Sequence, residues 1–223
     1  MITCLNNLER YHRVYKRNTL LSPPLARTLF LALSSVRLIP HILVFLLHSG
    51  DTLLISDLKK WVEEDYSFTT NKWAMAVQFL TFMTFYPEYR NQFYFRTGYV
   101  YRFFLSFLCK PMPSLYIKTK NIGEGFFVQH GFSTILAAEE IGTNFRINQQ
   151  VTIGYTDKYD CPIIGDNVTV CAGAKVLGRV KVGNNVVIGA NAVVVKDVPD
   201  NCTVVGVPAR IVKLNGERCS LAL

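Results

Sequence analysis

The chain has 223 residues, half of them hydrophobic and 18% charged, with 24 Lys and Arg against 16 Asp and Glu. That balance excludes a disordered chain, and 14 Gly and 9 Pro exclude collagen-like and low-complexity sequence. A mean hydropathy of +0.20 asks for a buried oligomer interface or a membrane contact.

The first half reads as helical. Residues 1–17 are mixed and basic, and Pro23-Pro24 breaks them from an apolar stretch, Leu25–His48, which Arg37 and Pro40 interrupt. Asp51–Glu64 carries Leu54, Leu58 and Trp61 at helical spacing. Thr70 is placed to cap a helix from Asn71 to Phe85, Pro87–Thr97 predicts another closed by Gly98, and Tyr99–Cys109 continues with Tyr and Phe. The run Thr28–Leu47 has the length of a bilayer span, but Arg37 and Pro40 argue against a clean crossing. A helix buried in a cap or an oligomer contact is the first expectation for it. Peripheral membrane contact through 25–48 is the second, with Arg10, Arg13, Lys16, Arg17 and Arg27 suited to anionic headgroups.

From residue 114 the period changes. Ile141, Ile147 and Ile153 recur every six positions, and so do Ile164, Val170, Val176, Val182, Ile188 and Val194, often followed by Gly. A period of six is the mark of a hexapeptide β-helix: each short strand turns one aliphatic inward, and Gly, Asn or Asp turn the corners. A helix cannot hold a six-residue repeat on one face. Between Ile153 and Ile164 the step lengthens, so Tyr155–Pro162 is an insertion at one corner, the usual place for added function on a solenoid. A second slip falls between Val128 and Ile135, beside His130. The fold class is therefore α+β: a helical region over 1–113, a parallel β-helix over 114–213 and a tail over 214–223.

The segments IGEGFFVQHG (122–131), INQQVTIG (147–154), PIIGDNVTVCAGAKVLG (162–178) and VGNNVVIGANAVVVKDVP with GVPAR (182–210) resemble the serine acetyltransferase branch of the left-handed β-helix acyltransferases. The resemblance implies an acetyl-CoA-dependent O-acetyltransferase, a homotrimer or dimer of trimers with sites between neighbouring prisms. It places the catalytic general base at His130, the one histidine in the repeat half. A neutral imidazole is suited to taking a hydroxyl proton near pH 7. Gly154, Ala172, Gly173 and Ala190 match positions lining the CoA groove, although corner packing alone would also select small residues there. Lys196 and Arg210 are the candidate cations for the CoA phosphates.

The sequence departs from the family at three places. Gln129 stands where an Asp precedes the catalytic His. Leu115 stands near the second family Asp, leaving a backbone carbonyl or Glu139 and Glu140 to orient the ring. Asp160-Cys161 stands where an Arg-His pair engages serine. The substrate-side residues would then be Gln129, Tyr155, Asp157, Asp160 and Cys161. A neutral acceptor loses nothing by the missing Arg, whereas an amino-acid carboxylate loses a charge-assisted hydrogen bond worth about 1.5–3 kcal/mol. The expected acceptor is thus a sugar or glycan hydroxyl, with serine O-acetylation the alternative and a non-catalytic membrane-docked scaffold the third reading. Cys161 has no adjoining base and is expected to be a loop residue rather than a nucleophile.

The basic excess lies in residues 1–113, at +6 against +2 for the rest. No Lys/Arg stripe or recognised module supports nucleic-acid binding. No metal is expected, since His130 alone cannot supply a histidine ligand set and the six cysteines show no CxxC pair. The first 20 residues lack an early apolar core, so the expected location is cytoplasmic, extending to the inner face of the membrane if 25–48 docks there.

Overall fold

The computed structural model describes residues 24–65, 72–157 and 160–223. The expected cap at Thr70 and the basic residues at 10–17 lie outside them. Six helices come first: α1 (Pro24–Arg37), α2 (Ile39–Leu47), α3 (Thr52–Asp65), α4 (Lys72–Phe85), α5 (Pro87–Thr97) and α6 (Tyr99–Leu105). The apolar stretch is not one rod. Pro40 falls at the start of α2, and α1 and α2 meet at 71°. No single helix among the described residues is long and apolar enough to cross a membrane. Asp51 caps α3 through its carboxylate, which accepts the N–H of Leu53 at 2.9 Å and of Leu54 at 3.3 Å.

The second half is a parallel β-helix of five coils, as the repeats predict. Its three faces are β1 (Leu115–Ile117), β4 (Thr134–Leu136), β7 (Thr152–Gly154), β10 (Lys175–Leu177) and β13 (Val193–Val194); β2 (Asn121–Ile122), β5 (Glu140–Ile141), β8 (Ile163–Ile164) and β11 (Lys181–Val182); and β3 (Phe127–Val128), β6 (Arg146–Ile147), β9 (Thr169–Val170), β12 (Val187–Ile188) and β14 (Cys202–Val205). Val198 extends the second face by a bridge to Val182. Ile164 pairs with Val182, Val170 with Ile188 and Val176 with Val194, so one coil is three hexapeptides. The ladder residues are sealed: Ile147, Ile153, Val170, Val176, Ile188 and Val194 are all fully buried. A second column, two residues earlier in each hexapeptide, is equally buried and includes Phe126, Phe145, Val168, Val186 and Ala192.

One ladder position differs from the sequence expectation. Ile135 points outward at 39% exposure, and Leu136 fills the core between Ile117 and Ile153. The cause is the corner before it, where His130, Gly131 and Ser133 all adopt left-handed backbone and add length. Other corners are regular. Asn144, Asn167, Asn185 and Asn201 take left-handed conformations at the edge between the second and third faces. Their carboxamides stack in a hydrogen-bonded chain at 2.8–3.0 Å.

Helices close the first coil. Its outer edge has no preceding strand, and side chains from α3 and α5 meet its backbone groups instead. Arg96 donates to the carbonyls of Ile122 (2.6 Å) and Gly123 (2.7 Å), Gln92 to that of Phe126 (2.6 Å), and Asn91 to that of Leu115 (3.1 Å). Asp57 accepts the N–H of Phe126 at 2.8 Å and pairs with Arg96 at 2.7 Å, both side chains nearly buried. Trp61 stands edge-on to Phe127, with ring centres 4.8 Å apart, and packs the helices onto the third face. At the other end β14 pairs antiparallel with β15 (Arg210–Leu214), and β15 with β16 (Glu217–Ala222). Residues 214–223, expected as a tail, thus hold a strand.

Candidate active site

His130 sits at the corner between the third face and the first. It follows β3 directly, half-buried, with φ 68. A non-glycine residue rarely holds this backbone, and such positions cluster at functional corners. Burial lowers the His130 pKa below the usual histidine value. The ring is therefore neutral at pH 7 and able to accept a proton.

Beneath this corner lies a carboxyl group that the sequence did not single out. Glu88, at the start of α5, is buried. Its pKa is pushed up to about 7 by burial, against the pull of Arg90 and of hydrogen bonds from its own backbone and that of His130. A Cβ on Gly131 would lie 3.2 Å from the Cβ of Glu88, so α5 and the His130 corner are in direct contact. Neither Glu139 nor Glu140 serves this corner. Both are exposed, and the Glu139 backbone N–H donates to the Pro162 carbonyl at the opposite edge of the first face. Leu115 is a buried core residue of β1.

The structure divides the remaining candidates between two edges. Stacking of successive corners runs Gln129 on Asn148, Asn148 on Cys171 by way of the Val170 carbonyl, and Gly189 on Val205. Ala172, Gly173 and Ala190 follow β9 and β12 and so share the His130 edge. Gly154 ends β7, and Tyr155, Asp157, Asp160 and Cys161 follow it at the other edge of the first face, where Lys196 follows β13. Gln129 is not brought to that loop. Its side-chain oxygen accepts from Arg146 at 2.7 Å, and Arg146 also pairs with Glu64 at 2.8 Å. Arg146 is a further residue beside the site that no motif marked, because it bridges Gln129 of its own solenoid to Glu64 of the helical region.

The two edges also differ in what their small residues do. Gly173 has φ 75 and lies against the Asn191 carboxamide, so packing alone requires glycine there. A Cβ on Gly154 would meet only the Thr152 methyl at 4.0 Å, which leaves room for a chain to pass. Beyond it Lys196 and Arg210 line one groove of about 290 Å³ with Val193, Pro208 and Leu221. Lys196 Nζ donates to the Leu223 carbonyl at 2.8 Å within it. Small openings followed by two cations fit an extended thioester carrier with phosphates at one end. The insertion is folded on itself: Asp160 accepts from Thr156 Oγ1 at 2.6 Å and from the Asp157 N–H at 2.7 Å, bonds that hold its carboxyl below the usual range. Cys161 is half-buried in that loop. Among the described residues no cluster of His, Cys, Asp and Glu is arranged to hold a metal ion.

The coils and corners define a hexapeptide-repeat transferase fold, and residues 161–196 match the family described as bacterial transferase hexapeptide (six repeats). Over a little under half its length the chain is similar to serine acetyltransferases. It is 48% identical over 102 residues to the serine acetyltransferase of Staphylococcus aureus strain Mu50, a match covering 44% of this chain and 48% of that one. The serine acetyltransferase of Synechococcus elongatus is 45% identical over 102 residues, covering 44% and 42%. The chain thus spans about half the length of these relatives. Among solved structures, the Neisseria gonorrhoeae serine acetyltransferase superposes with a TM-score of 0.59 at 27% identity, covering 90% of this chain and 83% of that one. The soybean serine acetyltransferase apoenzyme gives 0.58 at 23% identity, covering 93% and 94%, and shows the fold alone.

Proposed function

We propose that this protein is an acetyl-CoA-dependent O-acetyltransferase with His130 as its general base. The observation that carries the reading is the neutral, half-buried imidazole at a strained corner of a transferase solenoid. His130 would take the proton of an acceptor hydroxyl as its oxygen attacks the thioester carbonyl. The carbon–sulfur bond then breaks, and the imidazole returns the proton to the leaving thiolate. Gly154 leaves space for the pantetheine arm, Lys196 and Arg210 supply charge for its phosphates, and Ala172 and Ala190 are small residues on the His130 edge that would face the same arm from a neighbouring copy. His130 and the insertion lie at opposite edges of one face. A site that uses both is built between two copies of the chain, as in a trimer of prisms.

The relatives at 45–48% identity are named serine acetyltransferases, and one solved structure, at 27% identity, is a serine acetyltransferase in complex with serine. L-Serine is therefore the acceptor the reading favours, over the sugar hydroxyl expected from the loop chemistry. The sugar reading keeps one specific support: Asp160, an acid, occupies the insertion where a serine carboxylate would want a cation. A CoA-release assay separates the two. Purified protein with acetyl-CoA should turn over L-serine saturably, and release confined to sugar acceptors would reverse the order. His130→Ala should lower turnover by at least about a hundredfold with unchanged circular dichroism; undiminished turnover overturns the mechanism.

A further inference from the structure

The helical half carries an apolar surface that the acetyl-transfer reading does not use. In α1, Leu29, Phe30, Leu33 and Val36 are exposed, Leu33 at 74%. In α2, Ile39, Leu43, Leu46 and Leu47 are exposed, Leu47 at 76%. In α6 and the turn after it, Tyr99, Val100, Phe103, Phe104 and Phe107 are exposed, four of them aromatic. These faces adjoin one another. α2 contacts α6, and His48 stands edge-on to Tyr101 at 5.4 Å. Arg37 ends α1 and Arg102 lies in α6, both exposed. The opposite side of α2 is committed to the protein: His41 is fully buried and bonds Tyr94 Oη at 2.8 Å, and Phe45 stacks on Phe79.

Charge identifies the occupant. No Asp or Glu occurs from residue 24 to 50 or from 97 to 123, whereas Arg37, Arg102 and Lys110 are exposed there. Two copies meeting through like faces would set Arg37 and Arg102 of one against the same cations of the other. The 71° bend breaks the α1–α2 pair as a straight span, and its inner side is already buried against the protein. An apolar, aromatic face on which the charged side chains of α1, α2 and α6 among the described residues are the cations Arg37 and Arg102 has the chemistry of an interfacial anchor.

We infer that the joined outer faces of α1, α2 and α6 dock this protein onto a lipid bilayer bearing anionic headgroups. The aliphatic and aromatic side chains enter the acyl boundary, and Arg37, Arg102 and Lys110 meet the phosphates. The reaction at the solenoid then runs beside a membrane surface, independent of which hydroxyl is acetylated.

Full-length protein is to be sedimented with vesicles of phosphatidylcholine alone and of phosphatidylcholine doped with phosphatidylglycerol. Binding to the doped vesicles should be stronger and should fall as salt is raised. The double variant Phe103→Glu/Phe104→Glu should bind roughly tenfold or more weakly. Arg37→Gln/Arg102→Gln, which leaves the apolar face intact, should lose the preference for doped vesicles. Both variants should keep wild-type circular dichroism and CoA release. If the phenylalanine variant misfolds, Leu33→Glu serves in its place. Absence of wild-type binding to doped vesicles at low salt overturns the inference. So does equal binding by wild type and the phenylalanine variant. A wild-type oligomer that ignores vesicles and is split by that variant also overturns it, making the face a contact between copies. None of these outcomes bears on His130, whose own variant tests the chemistry.

Discussion

Glu88 keeps a carboxyl group in a place that resists its charge. Its pKa stands at about 7 in the folded protein against an ordinary 4.5, with burial the main cause. Below about pH 4.5 the group is neutral folded and unfolded, and burial costs nothing. Between about pH 4.5 and 7 the unfolded chain ionises freely while the folded state keeps its proton, so stability falls across that window by up to roughly 3 kcal/mol and stays at the lower level above pH 7. Glu88→Gln should therefore stabilise the protein at pH 8 and leave it nearly unchanged at pH 4, measured as the shift in urea midpoint. His130 shifts in the opposite sense, its protonation opposed by burial. The acid limb of kcat/KM should fall below the usual histidine value, and a limb above it would remove the imidazole as base. His130 itself was legible, because it stands alone in a motif. Glu88 and Arg146 were not: they act across the helix–coil junction, and nothing in their local sequence records which coil they will touch.

Among the elements, the hexapeptide strands were the most legible, since a six-residue period has one physical solution. Register failed only at the His130 corner, where left-handed residues shifted the inward position from Ile135 to Leu136. Leu136→Ala should cost about 2–5 kcal/mol and Ile135→Ala little, read from thermal midpoints; the reverse ranking would restore Ile135 to the core. The junction of α3 and α5 with the first coil holds a buried ion pair whose carboxylate also takes the Phe126 N–H. Asp57→Ala leaves Arg96 uncompensated and should cost about 3–5 kcal/mol, a loss that added salt does not mimic. The final hairpin turns on Asn215-Gly216, both left-handed at φ 50 and 87. That dipeptide is a strong short-range hairpin signal, and a ten-residue tail leaves it unread.

At the scale of the molecule, the split of the candidate residues between two edges bears on how the protein assembles. If each site joins the His130 edge of one copy to the Gly154 edge of another, two inactive variants should complement. His130→Ala and Gly154→Trp, each without turnover alone, should regain CoA release after being unfolded and refolded together. No activity in the mixture would mean that one chain holds the whole site. This partition was beyond the sequence, because a repeat fixes which residues face inward but not which corners face a neighbour.

The helical lid on the first coil and the antiparallel hairpin after the last have one more consequence. A stack of parallel coils offers, at each end, the same row of backbone donors and acceptors that joins coil to coil within it. Arg96, Gln92, Asn91 and Asp57 occupy that row at one end, and β15 with β16 closes the other. The caps thus give the solenoid a finite length. Stripped of residues 1–113, the prism would present a bare end, and the truncated chain should associate end to end where the full chain does not, as read by light scattering.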